Sequence, residues 1–237
     1  MNTNISLKQI NKLAIPAIIA GISEPILSLT DAAIVGHMSD HATESLAAVG
    51  IVTAFLSMLI WVLGQSRSAI SSIISQYVGA NKLNEVKALP SQAIAIILII
   101  ATIICFITYP LSKSIFSLYN ASDLLLDYCV SYYKIRVIGL PLTLYVFAVF
   151  GVFRGLQNTY YPMKIAISGA TINILLDFVL VYRIKDWFLP LNLQGAAIAS
   201  VLSQFLMAIL ATHYLLKKTE IPLRFSNTLN KEIPKFL

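Results

Sequence analysis

The stretch LAIPAIIAGISEPILSLTDAAIVGHM, residues 13–38, decides the fold class. It is longer than the roughly 20 residues a helix needs to cross a bilayer, and far longer than a barrel strand of about 9–11 residues. It shows no alternation of apolar and polar positions, which argues against a strand again. A signal peptide is the competing reading, with Lys8 and Lys12 as its basic flank. The apolar pattern resumes after Pro25 and five more runs follow, so a spanning helix is the better account.

Working outward, the further runs occupy residues 45–79, 88–112, 124–153, 162–182 and 193–216. The composition agrees: 57% of residues are hydrophobic, only 12% are charged, and the mean hydropathy is +0.78. A soluble domain carries about a quarter charged residues. The expected architecture is therefore an all-α integral membrane protein with one six-helix unit at 13–218. A tail at 1–12 precedes it and a polar, basic stretch at 219–237 follows it. The net charge of +6 reads as loop topology and not as a nucleic-acid surface.

Lysine and arginine counts in alternate loops set the orientation. With the N-terminus inside, the inner segments hold Lys8, Lys12, Lys82, Lys87, Arg154, Lys164, Lys217, Lys218, Arg224, Lys231 and Lys235. The outer segments hold only Lys113, Arg183 and Lys185. Both termini are expected in the cytoplasm, in a multi-pass protein of the cell membrane. Turn residues mark the edges at Gly79-Ala80-Asn81, Tyr119-Asn120, Gln157-Asn158-Thr159 and Pro190.

The acids inside these runs carry the chemistry. Glu24 and Asp31 are seven apart, so a helix places both on one face with Ser28 between them. A carboxylate at bilayer depth costs roughly 2.5–3.5 kcal/mol on insertion scales, so it faces a cavity, finds a partner or takes a proton. Asp31 reads as functional ahead of a structural hydrogen bond. Glu24 is balanced between function and service to the broken backbone at Pro25. Pro16 and Pro25 each remove a helix donor, and bent helices beside ionisable groups are how transporters build midplane sites. A fixed kink that only shapes packing is the alternative. Asn173 and Asp177 are four apart and share a face of the fifth run. A hydrogen bond that merely joins helices is worth about 0.6 kcal/mol on average, too little to offset two insertion penalties.

The remaining polar groups read differently. Arg67, Lys134 and Arg136 are expected to snorkel to the membrane surface. His37 and His41, with Asp40 and Glu44, read as a solvated loop and not a metal site, and His213 reads as interfacial. Cys105 and Cys129 read as packing residues, with no disulfide framework. No GxSxG, P-loop, HExxH or CxxC occurs, so an enzyme is not expected.

Four segments in register resemble the multidrug and toxic compound extrusion (MATE) family, in its DinF-like branch. They are residues 13–38, WVLGQSRSAISSIISQYVGANK at 61–82, GVFRGLQNTYYPMKIAISGATINILLDFVLVY at 151–182, and LQGAAIAS at 193–200. The resemblance implies one lobe of a two-lobe transporter that exports organic cations and other amphipathic compounds by alternating access. It implies H+ or Na+ as coupling ion, with DinF-like wording tilting toward protons, and no other cofactor. It assigns the cation site to Asp31, Asn173 and Asp177, with Ser200 and Tyr132 as possible lining beside Glu24 and Ser28. The expected partners are the lipid bilayer, small amphipathic substrates, and a second six-helix lobe, either a missing C-terminal half or another copy. The abrupt end at Leu237 reads as a chain cut between two halves or as a natural terminus. Two rival readings stay open: a flippase of lipid-linked substrates from the same superfamily, and an inactive single lobe or membrane interaction subunit.

Overall fold

The computed structural model describes residues 6–38, 41–181 and 191–219. Asp40, Tyr182, Arg183, Lys185, Pro190, Arg224, Lys231, Lys235 and nearly all of the basic stretch that begins at Thr219 lie outside the described residues. Among the described residues, eight α-helices make six membrane-length stretches: α1 (Leu7–Gly36), α2 (Ala42–Gly64) continued by α3 (Ser66–Gly79), α4 (Leu89–Leu118), α5 (Asp123–Arg136) continued by α6 (Leu140–Gly155), α7 (Tyr160–Val181) and α8 (Asn192–Lys218). The all-α, six-helix unit read from the sequence is the observed one, and no strand occurs among the described residues.

Local chemistry sets the helix ends. α1 starts before its apolar run because Ser6 accepts from the Gln9 backbone N–H while the Gln9 side chain returns to the Ser6 N–H. α3, α4 and α6 end alike, each with a left-handed residue: Asn81, Asn120 and Gln157 all have φ of 57°. The next N–H then reaches back to the last turn, as Lys82 N does to Tyr77 O at 2.8 Å and Asn158 N to Phe153 O at 2.9 Å. α1 runs unbroken through Pro16 and Pro25. Near the first, Thr159 donates to the Leu13 carbonyl at 2.9 Å, tying α1 to the turn before α7.

Helix α7 lies between α1 and α8, α6 packs against α3, α4 and α8, and α5 bridges α2 and α8. Two glycines let α6 approach α3 closely. A Cβ on Gly151 would stand 2.6 Å from the Arg67 carbonyl oxygen, and one on Gly155 would stand 2.7 Å from Ile74 Cβ.

The apolar core is in two storeys. One collects Ile70, Ile74, Leu144, Phe153, Ile165 and Leu215. The other collects Val35, Val52, Phe116, Tyr133, Val181 and Ala197. Along α1 the storeys are separated at Asp31, along α7 at Asn173 and Asp177, and along α8 at Ser200 and Ser203. The polar residues thus form a layer between two cores. The helical stretch from α5 to α6 crosses that layer at a 3-10 turn, Val137–Gly139.

Candidate functional site

A cavity of about 290 Å³ opens onto this polar layer. Glu24, Ser28 and Asp31 line it from α1, confirming their shared face. Asn173 lines it from α7, Ser200 from α8 and Arg136 from α5, with Trp61 and Phe147 among the apolar walls. Glu24 and Ser28 are exposed in the opening, whereas Asp31 at 8% and Asn173 at 2% exposure form its floor.

The floor is a hydrogen-bonded unit drawn from three helices. With its amide oriented to satisfy its neighbours, Asn173 donates to Asp31 Oδ1 at 3.1 Å and accepts from the Ser200 backbone N–H at 3.3 Å. Ser200 Oγ donates to Asp31 Oδ2 at 3.4 Å, a long bond at the edge of effective geometry. Asp177 lies one turn beyond Asn173, behind the cavity wall and fully buried. Neither of its oxygens meets an N–H or O–H donor. The charges that act on it are those of the Asp31 carboxyl and the Arg136 guanidinium. Two ionised carboxylates have only acceptors to offer each other, so a hydrogen bond between them requires a proton on one. Asp31 and Asp177 are thus two buried carboxyls on packed helices, one in the cavity floor and one behind it.

Several expectations are corrected here. Tyr132 does not line the cavity: it is fully buried, on the far side of the layer among the core residues of α5. Arg136 does not snorkel. The 3-10 turn that follows it falls within the span, which keeps Arg136 at depth, and its guanidinium sits 6.0 Å from the Tyr132 ring centroid. The charge of Arg136 acts on both Asp31 and Asp177. Arg67 is half-buried, with its guanidinium 4.6 Å from the Phe147 ring centroid. The charges of Arg67 and Arg154 act on Glu24, so a second, looser charged group flanks the opening.

Of the residues outside the floor, Lys134 stacks over Tyr109 at 5.5 Å. His37 Nδ1 donates to the Ala33 carbonyl oxygen at 2.7 Å, and His41 packs edge-on against Tyr128. His213 is exposed near the end of α8, and Cys105 and Cys129 are unpaired. No group of three metal-binding side chains occurs among the described residues. Reading the residues alone missed Arg136. A signal was present: Tyr132 and Arg136 are four apart, so a helix that turns one inward turns both.

With this geometry in hand, likeness to known proteins becomes interpretable. The model of the MatE family matches residues 16–179. DNA damage-inducible protein F of Escherichia coli is 28% identical over 194 residues, covering 81% of this chain and 40% of that protein. A probable multidrug resistance protein NorM of Thermotoga maritima is 26% identical over 219 residues, covering 92% of this chain and 46% of that protein. Among solved structures, a MATE protein in its bent conformation superposes with a TM-score of 0.85 at 24% identity, over 96% of this chain and 50% of that one. The chain therefore spans about half the length, or less, of the relatives it matches.

Proposed function

The chain belongs to the MatE family, and from that premise we propose that it is the N-terminal lobe of a cation-coupled exporter of small amphipathic compounds, with Asp31, Asn173 and Asp177 as its coupling site. The observation that carries this reading is the Asp31–Asn173–Ser200 floor of an open cavity, backed by the buried Asp177 carboxyl. An acid pair that needs one proton to make its own hydrogen bond is suited to binding and releasing a coupling proton. Protonation of Asp31, shared with Asp177, rearranges the Pro16–Pro25 region of α1 and narrows the cavity, so that substrate leaves. Glu24, Ser28, Trp61 and Phe147 give the opening the acidic and aromatic surface that an organic cation prefers. With both termini cytoplasmic, entry of the proton from outside drives export. A second body around the cavity, another lobe or another copy, completes alternating access.

The flippase reading calls for a basic cavity. Arg136 is the one feature in its favour, and Glu24 and Asp31 outnumber it in the lining.

The test is efflux of a cationic dye from cells expressing the protein under an imposed pH gradient. Asp31→Asn and Asp177→Asn each abolish gradient-driven efflux. An Asp31→Asn protein that exports at the wild-type rate overturns the assignment.

A further inference from the structure

The coupling site holds one feature the reading above leaves unused, a guanidinium at the level of the carboxyl pair. Arg136 is the last residue of α5, lines the cavity, and has a buried Nε without a hydrogen-bond partner. It makes no ion pair within 4.0 Å among the described residues. It stands off from the carboxyls, yet its charge acts on both. The neighbouring elements supply no competing cation to this pair. α1 brings Asp31, with Glu24 two turns away under the charges of Arg67 and Arg154; α7 brings Asp177 and Asn173; α8 brings the uncharged Ser200 and Gln204; α5 itself adds Tyr132. The charge balance is then simple. With one proton shared, the two carboxyls carry one negative charge, which Arg136 neutralises. With no proton, one negative charge remains.

We propose that Arg136 is the resident counter-ion of the Asp31–Asp177 pair and that it selects the proton as coupling ion by repelling a sodium ion from the carboxyl oxygens. This rests on the coupling role of Asp31 and Asp177 and adds the choice of ion. A proton enters the pair by forming an O–H bond on one carboxyl and needs no further room. A sodium ion would have to sit among the same oxygens against the repulsion of the guanidinium that lines the same cavity. When the proton leaves, Arg136 offsets one of the two negative charges.

Equilibrium binding of radioactive sodium to the purified full chain, at neutral pH and constant ionic strength, tests this. The wild type binds sodium no better than the Asp31→Asn protein. Arg136→Gln gains saturable sodium binding, taking up at least about tenfold more sodium than the wild type at a concentration below its own half-saturation, the scale for removing a unit charge several ångströms away at an effective dielectric near 20. Arg136→Lys keeps the charge and stays as indifferent to sodium as the wild type. That separates charge from mere packing. Saturable sodium binding by the wild type at Asp31 overturns the proposal, and this arm needs no variant to fold. Equal sodium binding by a folded Arg136→Gln protein and the wild type also overturns it. The two ideas fail separately. Dye efflux that survives Asp31→Asn sinks the coupling site, whereas lost efflux with unchanged sodium binding in Arg136→Gln sinks only the counter-ion.

Discussion

Asp31 is held by donors from two other helices, and both bonds depend on the amide of Asn173 and the hydroxyl of Ser200 keeping their places. Replacing Asn173 by leucine leaves Asp31 Oδ1 without its donor in a buried setting. The expected cost is about 1–3 kcal/mol, the penalty for an unsatisfied buried polar group. A thermal unfolding series in detergent should therefore rank Asn173→Leu well below Asn173→Gln or wild type, and equal melting of the leucine variant would show that the bond does not matter. At this scale the sequence was readable where two polar residues share a helix face. Glu24, Ser28 and Asp31 followed from spacing alone, as did Asn173 and Asp177. Arg136 did not, because a basic residue near the edge of an apolar run looks like an interface anchor. The Val137–Gly139 turn and the cavity lining together show that the position lies at depth. Tyr132 was misplaced for a related reason, since an aromatic residue on the right helix does not reveal which side of the polar layer it fills.

Helix ends and close approaches are the events at the level of elements. The left-handed caps at Asn81, Asn120 and Gln157 sit where turn-forming residues cluster, so the ends of α3, α4 and α6 were legible. The interruption between α2 and α3 was only half legible: the run turns polar at Gln65-Ser66-Arg67-Ser68, yet such a change is equally compatible with one helix leaving the membrane. Glycines separate into those that permit packing and those that merely occur. Gly151→Ala places its methyl against the Arg67 backbone, which cannot swing aside as a side chain could. Overpacking of this kind costs about 1–3 kcal/mol. Gly50→Ala meets nothing within 4 Å and should be neutral or slightly stabilising. Melting temperatures of the two variants, measured side by side, check the contrast. A Gly151→Ala protein as stable as Gly50→Ala would mean that α3 and α6 do not pack as described.

The whole lobe presents two kinds of apolar surface. On α4, Phe106 is 78% exposed, and Ile99, Ile103 and Ile107 continue the stripe. Trp61 is equally open, at 72%, but it borders the cavity. In bilayers of brominated lipid, a tryptophan at position 106 should be strongly quenched, while Trp61 responds mainly to a water-soluble quencher, each read with Trp187 replaced by phenylalanine. The reverse pattern would put the cavity on the lipid side. The six-helix layout was legible because bilayer thickness imposes its length on each run. The division of the core into storeys was not, because it depends on which helices meet. That division also has a consequence for how the protein is made. The helical stretches carrying the polar layer, α1, α7 and α8, are the least apolar of the six, and the α2–α3 stretch and the one containing α4 are the most apolar. During synthesis Asp31 leaves the ribosome long before Asn173 and Ser200 exist. The first helix must therefore enter the membrane with its acid unpartnered, or wait beside the insertion machinery until the last two helices arrive. The hydrogen-bonded floor is thus complete only when the two ends of the lobe have found each other.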